Sequence, residues 1–290
     1  MDPKQLVALI LQIALLLMIA LVGLQARWRD VLLVMERPRG LLKAIMAVNV
    51  LVPFVAVLVC LALPLATPVK IGLVIMAVSP LAPLVPGMVI RAGMAASRVA
   101  GLYVLLALLS VVIVPATLAM LSRLFPYDAR ISVNVIGHLV AISVFAPLAA
   151  GMIIAWLAPE LAERLVKPLA IVGNIALAIV VLAIVVTQGT QVLALVGNGT
   201  LFAMAAVAGA GIIFGHLLGG PETVTRKSLA LAAATRHPGI AALVAQANFE
   251  FDRQILLSIA LFPLVSVAVS SIYIRWLKVR QPDEVEPAPA

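Results

Sequence analysis

The chain is 290 residues long, 64% of them hydrophobic and only 11% charged, with a formal net charge of +8. Soluble domains are roughly 45–50% apolar and about 25% charged, so this composition excludes an ordinary soluble protein and predicts an integral membrane protein. The apolar runs are continuous and lack the alternation of barrel strands, which predicts an all-α fold. The basic excess is typical of the cytoplasmic loops of membrane proteins, so we expect contact with the lipid bilayer and no nucleic-acid partner.

Apolar runs separated by charged or Pro/Gly-rich breaks predict about nine membrane-spanning helices. In chain order they cover residues 6–24, 40–63, 68–90, 99–121, 133–157, 168–187, 196–218, 228–249 and 255–277. Most lysines and arginines follow the odd-numbered spans, so the positive-inside rule places the N-terminus outside and the C-terminus in the cytoplasm. The short loops favour a bacterial inner membrane. We expect one transmembrane unit over residues 1–280 and a disordered tail over 281–290.

The third run is interrupted by a cluster of prolines and a glycine. It reads Ser79-Pro80-Leu81-Ala82-Pro83-Leu84-Val85-Pro86-Gly87. Proline removes a backbone donor and glycine tolerates nonhelical angles, so the cluster predicts a broken helix. Arg91, just beyond the run, is either a second positive charge for a site at the break or an ordinary anchor at the inner surface. Single prolines inside other runs predict only kinks: Pro53, Pro115, Pro147 and Pro263.

The eighth run is interrupted by Thr235-Arg236-His237-Pro238-Gly239. Arg236 follows the inner boundary by about ten residues, which at about 1.5 Å per residue puts it roughly 15 Å deep, near the bilayer midplane. An arginine there costs about 2.5–3.5 kcal/mol on insertion scales, so we expect it to face a cavity or the bundle interior. His237 either carries a coupling proton or only makes a hydrogen bond within the break.

The two broken runs occupy corresponding places in two groups of three runs, the second to fourth and the seventh to ninth. Corresponding runs are five positions apart in the order of spans, an odd offset, so the two groups cross the membrane in opposite senses. Such an inverted repeat brings interrupted helices together near the midplane, where their freed backbone groups form a binding site. Asn49, a polar residue inside the second run, either lines this cavity or bonds between helices. The predicted substrate or ion site comprises Asn49, Ser79, Pro83, Pro86, Gly87, Arg91, Thr235, Arg236, His237, Pro238 and Gly239.

In these stretches the sequence resembles the bile acid:sodium symporter superfamily. That family's second broken helix carries E-x-G-x-Q-N-S-G-L-A, and the same frame here reads Ala232-Ala233-Ala234-Thr235-Arg236-His237-Pro238-Gly239-Ile240-Ala241. Its first broken helix carries P-G-G-x-x-S-N, where this chain has Pro80-Leu81-Ala82-Pro83-Leu84-Val85-Pro86. Residues 36–42 are similar to the family's basic loop before a span, and residues 159–165 to its mid-chain loop. The chain looks like the family's nine-span form.

The resemblance implies a core domain of residues 38–121 and 196–277, in which two discontinuous helices cross, and a panel domain of residues 5–25 and 132–188. Substrate would lie between them, and movement of one domain against the other would give alternating access. The resemblance also implies sodium coupling. However, the family's sodium-binding glutamate, glutamine and asparagine positions read Ala232, Arg236 and His237, and the acidic residues all lie in loops or tails.

Sodium prefers several oxygen ligands, including a carboxylate. We therefore hypothesise that the guanidinium of Arg236 takes the place of the ion and attracts an anion, and we predict a secondary transporter or exchanger of small organic anions. Two alternatives stay open: a sodium-coupled symporter that uses other ligands, and a nontransporting membrane sensor or scaffold with the transporter fold. The sequence has no Ser/His/Asp set, metal-ligand spacing or nucleotide-binding loop, so we expect neither an enzyme nor a bound cofactor.

Overall fold

The computed structural model of the protein describes residues 3–82, 96–122, 133–195, 199–249 and 252–280. The named elements in these ranges are all helices. They are α1 (Pro3–Gln25), α2 (Trp28–Met35), α3 (Pro38–Ala62), α4 (Thr67–Val78), α5 (Ala96–Ser122), α6 (133–157), α7 (Pro159–Leu195), α8 (Leu201–Leu218), α9 (Thr223–Ala234), α10 (Pro238–Asn248) and α11 (Arg253–Arg280). The tail expected over 281–290 lies outside the described residues.

Three stretches of the described chain are helices long and apolar enough to cross a membrane, namely Pro38–Ala62, Leu201–Leu218 and Arg253–Val279. The two parts of α5, Gly101–Ser110 and Val112–Met120, meet at an angle of 49°. If they count as one span, they are the fourth helix of this kind among the described residues. The prediction of an all-α membrane protein is therefore confirmed. The count of nine spans stays a prediction.

Single prolines account for irregular turns inside the long helices. The bend in α5 falls at Val111, four residues before Pro115, whose ring clashes with a carbonyl at that distance. In α3 the turn before Pro53, Met46–Leu51, is π-helical, and in α6 the turn before Pro147 is π-helical as well. These turns are local distortions at positions where the sequence predicts kinks.

Two groups of helices pack closely. In one, α1 lies along α6 and α7; in the other, α8 pairs with α9 and also contacts α3 and α11. The pairing of α8 with α9 depends on glycine, because a Cβ atom at Gly211 would lie 2.5 Å from the carbonyl oxygen of Ala233, and one at Gly215 would lie 2.5 Å from that of Leu229. Small residues let helix backbones approach in this way. The contact fixes the end of α9, where the eighth apolar run breaks.

Two segments differ from the sequence-based expectations. Residues 159–165, expected to be a loop, begin α7, because Pro159 suits the first helical position and Glu160 in the first turn favours the helix dipole. The expected span 168–187 is therefore the middle of a longer helix. Between the first two apolar runs the structure adds the short helix α2, which buries Val31 and exposes Trp28. Of the basic loop expected over 36–42, only Glu36 and Arg37 lie outside a helix, since α3 begins at Pro38.

Candidate functional site

The eighth apolar run is interrupted where the sequence predicts, between α9 and α10. Thr235 (φ −107°, ψ 134°) and His237 (φ −84°, ψ 99°) are extended. Proline favours an extended residue before it, and Pro238 then occupies the first turn of α10. In a continuous helix the carbonyl of Ala234 would pair with the N–H four residues on, but Pro238 has none. Ser266 of α11 supplies the missing donor, with its Oγ 2.7 Å from that oxygen.

The interruption after α4 lies directly against the one after α9. Leu81 and Arg236 form an isolated antiparallel bridge, and the N–H of His237 donates to the carbonyl of Pro80 at 2.9 Å. The structure thus brings Ser79 and its neighbours together with Thr235, Arg236 and His237, although the two stretches are far apart in sequence. Four of the predicted site residues lie outside the described residues: Pro83, Pro86, Gly87 and Arg91.

The guanidinium of Arg236 connects three chain segments. Its side chain is only 2% exposed. Nη1 donates to the carbonyl of Ser79 at 3.3 Å, and Nη2 donates to the carbonyl of Val48 in the π-helical turn of α3. In a π-helical register the partner of Val48 would be the N–H five residues on, at Pro53, which has no hydrogen to give. The prolines therefore leave carbonyl oxygens at the break, and Arg236 binds one of them.

No carboxylate accompanies this buried charge in the part of the chain that the structure describes. The buried polar groups there are Ser79, Ser110, Thr200, Lys227, Ser228, Thr235, Arg236, His237, Ser258, Ser266 and Ser270, and none is acidic. Among the same residues, no group of three potential metal ligands comes together. Nε of Arg236 also has no hydrogen-bond partner there. A buried charge that lacks a counter-charge is costly.

His237 closes the N-terminus of α10. Its Nδ1 accepts the backbone N–H of Ile240 at 3.3 Å, so the neutral ring carries its hydrogen on Nε2. This Nε2 is buried and, like Nε of Arg236, has no partner among the described residues. The geometry matches the simpler of the two roles considered for His237, a hydrogen bond within the break. A second donor, Nε2–H, remains at the site.

The carbonyl oxygens released at the first break already have donors. Ser79 pairs with Arg236, Pro80 with the backbone of His237, and Leu81 accepts the hydroxyl of Tyr103 at 3.2 Å. These oxygens are the kind of ligand that a sodium ion would need in the absence of carboxylates. Here each of them accepts a hydrogen bond from a protein donor.

The remaining predicted residues surround this centre. Thr235 is buried and its Oγ1 donates back to the carbonyl of Leu231 at 2.9 Å. Asn49 is half-buried in the same π-helical turn as Val48, and Pro238 is half-buried as well. Gly239 is buried because Leu15 of α1 lies on it: a Cβ atom there would be 1.8 Å from Leu15 Cδ1.

Sequence reasoning missed Val48, Tyr103 and Ser266. Val48 contributes only its backbone, which no sequence pattern marks. Tyr103 contributes a hydroxyl from the fourth run, and Ser266 contributes one from the ninth. Nothing in the sequence around either residue shows that its side chain faces a break in another span.

Residues 12–195 match the family model described as the Sodium Bile acid symporter family. The chain belongs to this family. The match spans more than half of the chain and includes the break after α4, whereas Arg236 lies beyond its end. No curated protein matches the chain. Membership supports sodium-dependent transport of organic anions across a membrane at the level of the family, whose members are transporters and not enzymes.

Proposed function

We propose that this family member is a secondary transporter or exchanger of small organic anions, with the guanidinium of Arg236 in place of a sodium ion. One observation carries the proposal: a buried cation, built into the chain, binds the backbone oxygens of Val48 in α3 and of Ser79 just after α4. A sodium ion at the meeting of two broken helices would use oxygens of the same kind. The neighbouring carbonyls of Pro80 and Leu81 are also paired.

The chemistry at the break favours a carboxylate or a similar anion as substrate. Arg236 contributes a full positive charge and an Nε–H, and His237 contributes an Nε2–H. The N-terminus of α10 adds the positive end of a helix dipole. The proposed substrate is therefore a small organic anion held by charge and by a few hydrogen bonds.

Alternating access would expose this site by moving α1. Arg236 and His237 are 2% and 1% exposed, so a ligand reaches them only after a neighbouring element moves. Leu15 of α1 covers Gly239 at the start of α10, and α1 packs mainly with α6 and α7. We infer that α1, α6 and α7 belong to a panel (5–25 and 132–188) that moves against a core (38–121 and 196–277). Nine spans, an inverted repeat with crossed helices and an outside N-terminus in a bacterial inner membrane complete the proposal.

Two other functions make different predictions. A sodium-coupled symporter would need oxygen ligands beyond those that Arg236, His237 and Tyr103 occupy, and its substrate binding would depend on sodium. A nontransporting sensor or scaffold would bind a ligand without moving it. Both alternatives can be tested with the same protein preparation.

The test compares substrate binding and uptake with and without sodium. Purified protein is screened for thermal stabilisation by a panel of small carboxylates, sulfonates and phosphates in sodium or potassium buffer, and hits are tested for uptake into proteoliposomes. We expect equal stabilisation in both buffers. Arg236→Gln should weaken binding about 10- to 100-fold, because it removes a charge-assisted donor. Arg275→Gln, an exposed arginine of α11, is the control for charge and should have no effect.

Three results would count against the proposal. Stabilisation that requires sodium and survives Arg236→Gln would support sodium coupling through other ligands. Binding without uptake would support a sensor or scaffold. If Arg236→Gln does not fold, Arg236→Lys is the variant to test. It keeps the charge but loses the planar guanidinium that reaches two carbonyls, so it should fold and bind the substrate more weakly. Unchanged substrate binding by Arg236→Lys would contradict the role of the guanidinium.

A further inference from the structure

A second group of charged residues surrounds a cavity where α3 and α9 begin and α8 ends. The cavity has a volume of about 560 Å³. Three cationic side chains, Arg37, Arg39 and Lys43, and one carboxylate, Glu222, line it. Three positive charges and one negative charge leave a net charge of +2, so the cavity favours an anion.

A fixed turn forms one wall of this basic cavity. Gly219, Gly220 and Pro221 line it, and Gly220 adopts φ +80°, a conformation that suits glycine. Arg226 holds the turn, since its Nε donates to the carbonyl of Gly220 at 3.0 Å and its Nη2 to that of Pro221 at 3.3 Å. A further positive charge therefore lies beside the cavity.

The single carboxylate in the lining is only loosely held by its arginine. Arg37 Nη1 lies 3.4 Å from Glu222 Oε2, and the two side chains are 78% and 38% exposed. Such an exposed ion pair contributes little to stability, so Arg37 can turn to another anion at small cost. Glu222 keeps a second partner, because Thr225 Oγ1 donates to it at 3.0 Å.

Exposed apolar surface adjoins the basic cavity. Leu42 is 61% exposed and Leu217 is 69% exposed, and each is next in the chain to a residue that lines the cavity. The short helix α2 reaches the cavity through Val34, and it exposes Trp28 and Leu32. A helix with exposed apolar residues and flanking arginines is typical of a segment that lies in the membrane interface.

We propose that this cavity binds the phosphate of an anionic phospholipid, whose acyl chains lie against Leu42 and Leu217. Arginine forks and a lysine ammonium suit phosphate oxygens, and basic clusters next to a membrane attract anionic lipids. The site is separate from the break between α9 and α10. Leu229, which lines the cavity, precedes the end of α9 at Ala234 by five residues, roughly 8 Å along the helix, and Arg236 lies two residues further on. The inference therefore goes beyond the proposed transport function and does not depend on it.

The test uses the full chain in a neutral detergent. Microscale thermophoresis measures binding of short-chain phosphatidylglycerol, short-chain phosphatidylcholine and sn-glycerol 3-phosphate. We expect saturable binding of phosphatidylglycerol, about tenfold or more tighter than either of the others, because phosphatidylcholine lacks the net charge and the soluble phosphate lacks acyl chains. Arg39→Gln combined with Lys43→Gln should weaken that binding about tenfold. Glu222→Gln should strengthen it, and Arg275→Gln should leave it unchanged.

Each contrary outcome overturns a defined part of the proposal. Equal binding of phosphatidylglycerol by the double variant and the natural protein would show that this cavity is not the site. Equal binding of phosphatidylcholine would show that the net negative charge of the lipid headgroup is not what is recognised. If sn-glycerol 3-phosphate binds as tightly as phosphatidylglycerol, the lipid assignment is wrong and the occupant is a soluble phosphate. Should the double variant not fold, Glu222→Gln decides, because weaker or unchanged binding contradicts the predicted increase.

Discussion

Replacing Ser266 with alanine removes the hydroxyl that donates to the carbonyl of Ala234. Both residues are 1% exposed, and the helical donor of that carbonyl is missing because position 238 is proline. Hydrogen bonds between membrane helices average only about 0.6 kcal/mol, since the unfolded state in the membrane finds other partners. A buried carbonyl left without a donor costs about 1–3 kcal/mol. Weighing the two, we expect Ser266→Ala to lower the free energy of unfolding by about 1–2 kcal/mol.

Ser271 offers a matched control in the same helix. Its Oγ donates to the carbonyl of Val267, also at 2.7 Å, but the residue is exposed and the bond is within one helical turn. Ser271→Ala should change the free energy of unfolding by less than about 0.5 kcal/mol, because alanine has the higher helix propensity. Titration of both variants with SDS in mixed micelles, followed by circular dichroism, measures the difference. Equal stability of the two variants would refute the argument that Ser266 replaces the donor that Pro238 lacks.

The remaining predictions concern glycine packing and the cap of α10. Gly211→Ala should lower the free energy of unfolding by about 1–3 kcal/mol, because the new Cβ meets the backbone of α9. The control is Gly209→Ala, whose new Cβ meets nothing within 4 Å, so this variant should be neutral or stabilising. Equal stability of the two variants in SDS titrations would contradict this. His237→Ala should cost about 1 kcal/mol in the same assay through loss of the cap, and His237→Asn should retain it. An asparagine variant as unstable as the alanine variant would show that the ring does more than cap.

The sequence predicts the break and its burial because both follow from local chemistry. Pro238 ends a helix wherever it lies, and the hydropathy around Arg236 places that side chain inside the protein. The contacts of the guanidinium do not follow in this way. Every residue has a carbonyl, so the sequence does not distinguish Val48 and Ser79 from their neighbours as acceptors.

The short helix α2 was missed for a related reason. Its eight residues are too few to span a membrane, and the charges at Arg27, Arg29 and Asp30 make the segment similar to a loop. Trp28 and Leu32 are exposed and four residues apart, whereas Val31 is buried. This spacing indicates a helix only when it is known which of these residues is buried. For α7, in contrast, Pro159 and Glu160 are ordinary signals of a helix start. The beginning of this helix at Pro159 could therefore have been predicted from the sequence.

The attachment of the Arg236 guanidinium to the chain has an energetic consequence under the proposed function. A sodium ion that enters with the substrate and leaves on the other side releases the energy of its gradient, but a covalently attached charge returns with every cycle and releases none. A monovalent anion that crosses without a cation carries one negative charge, and each 100 mV of membrane potential opposes its entry into a negative interior by about 2.3 kcal/mol. A transporter of this kind would favour export, or one-for-one exchange in which the moved charges cancel.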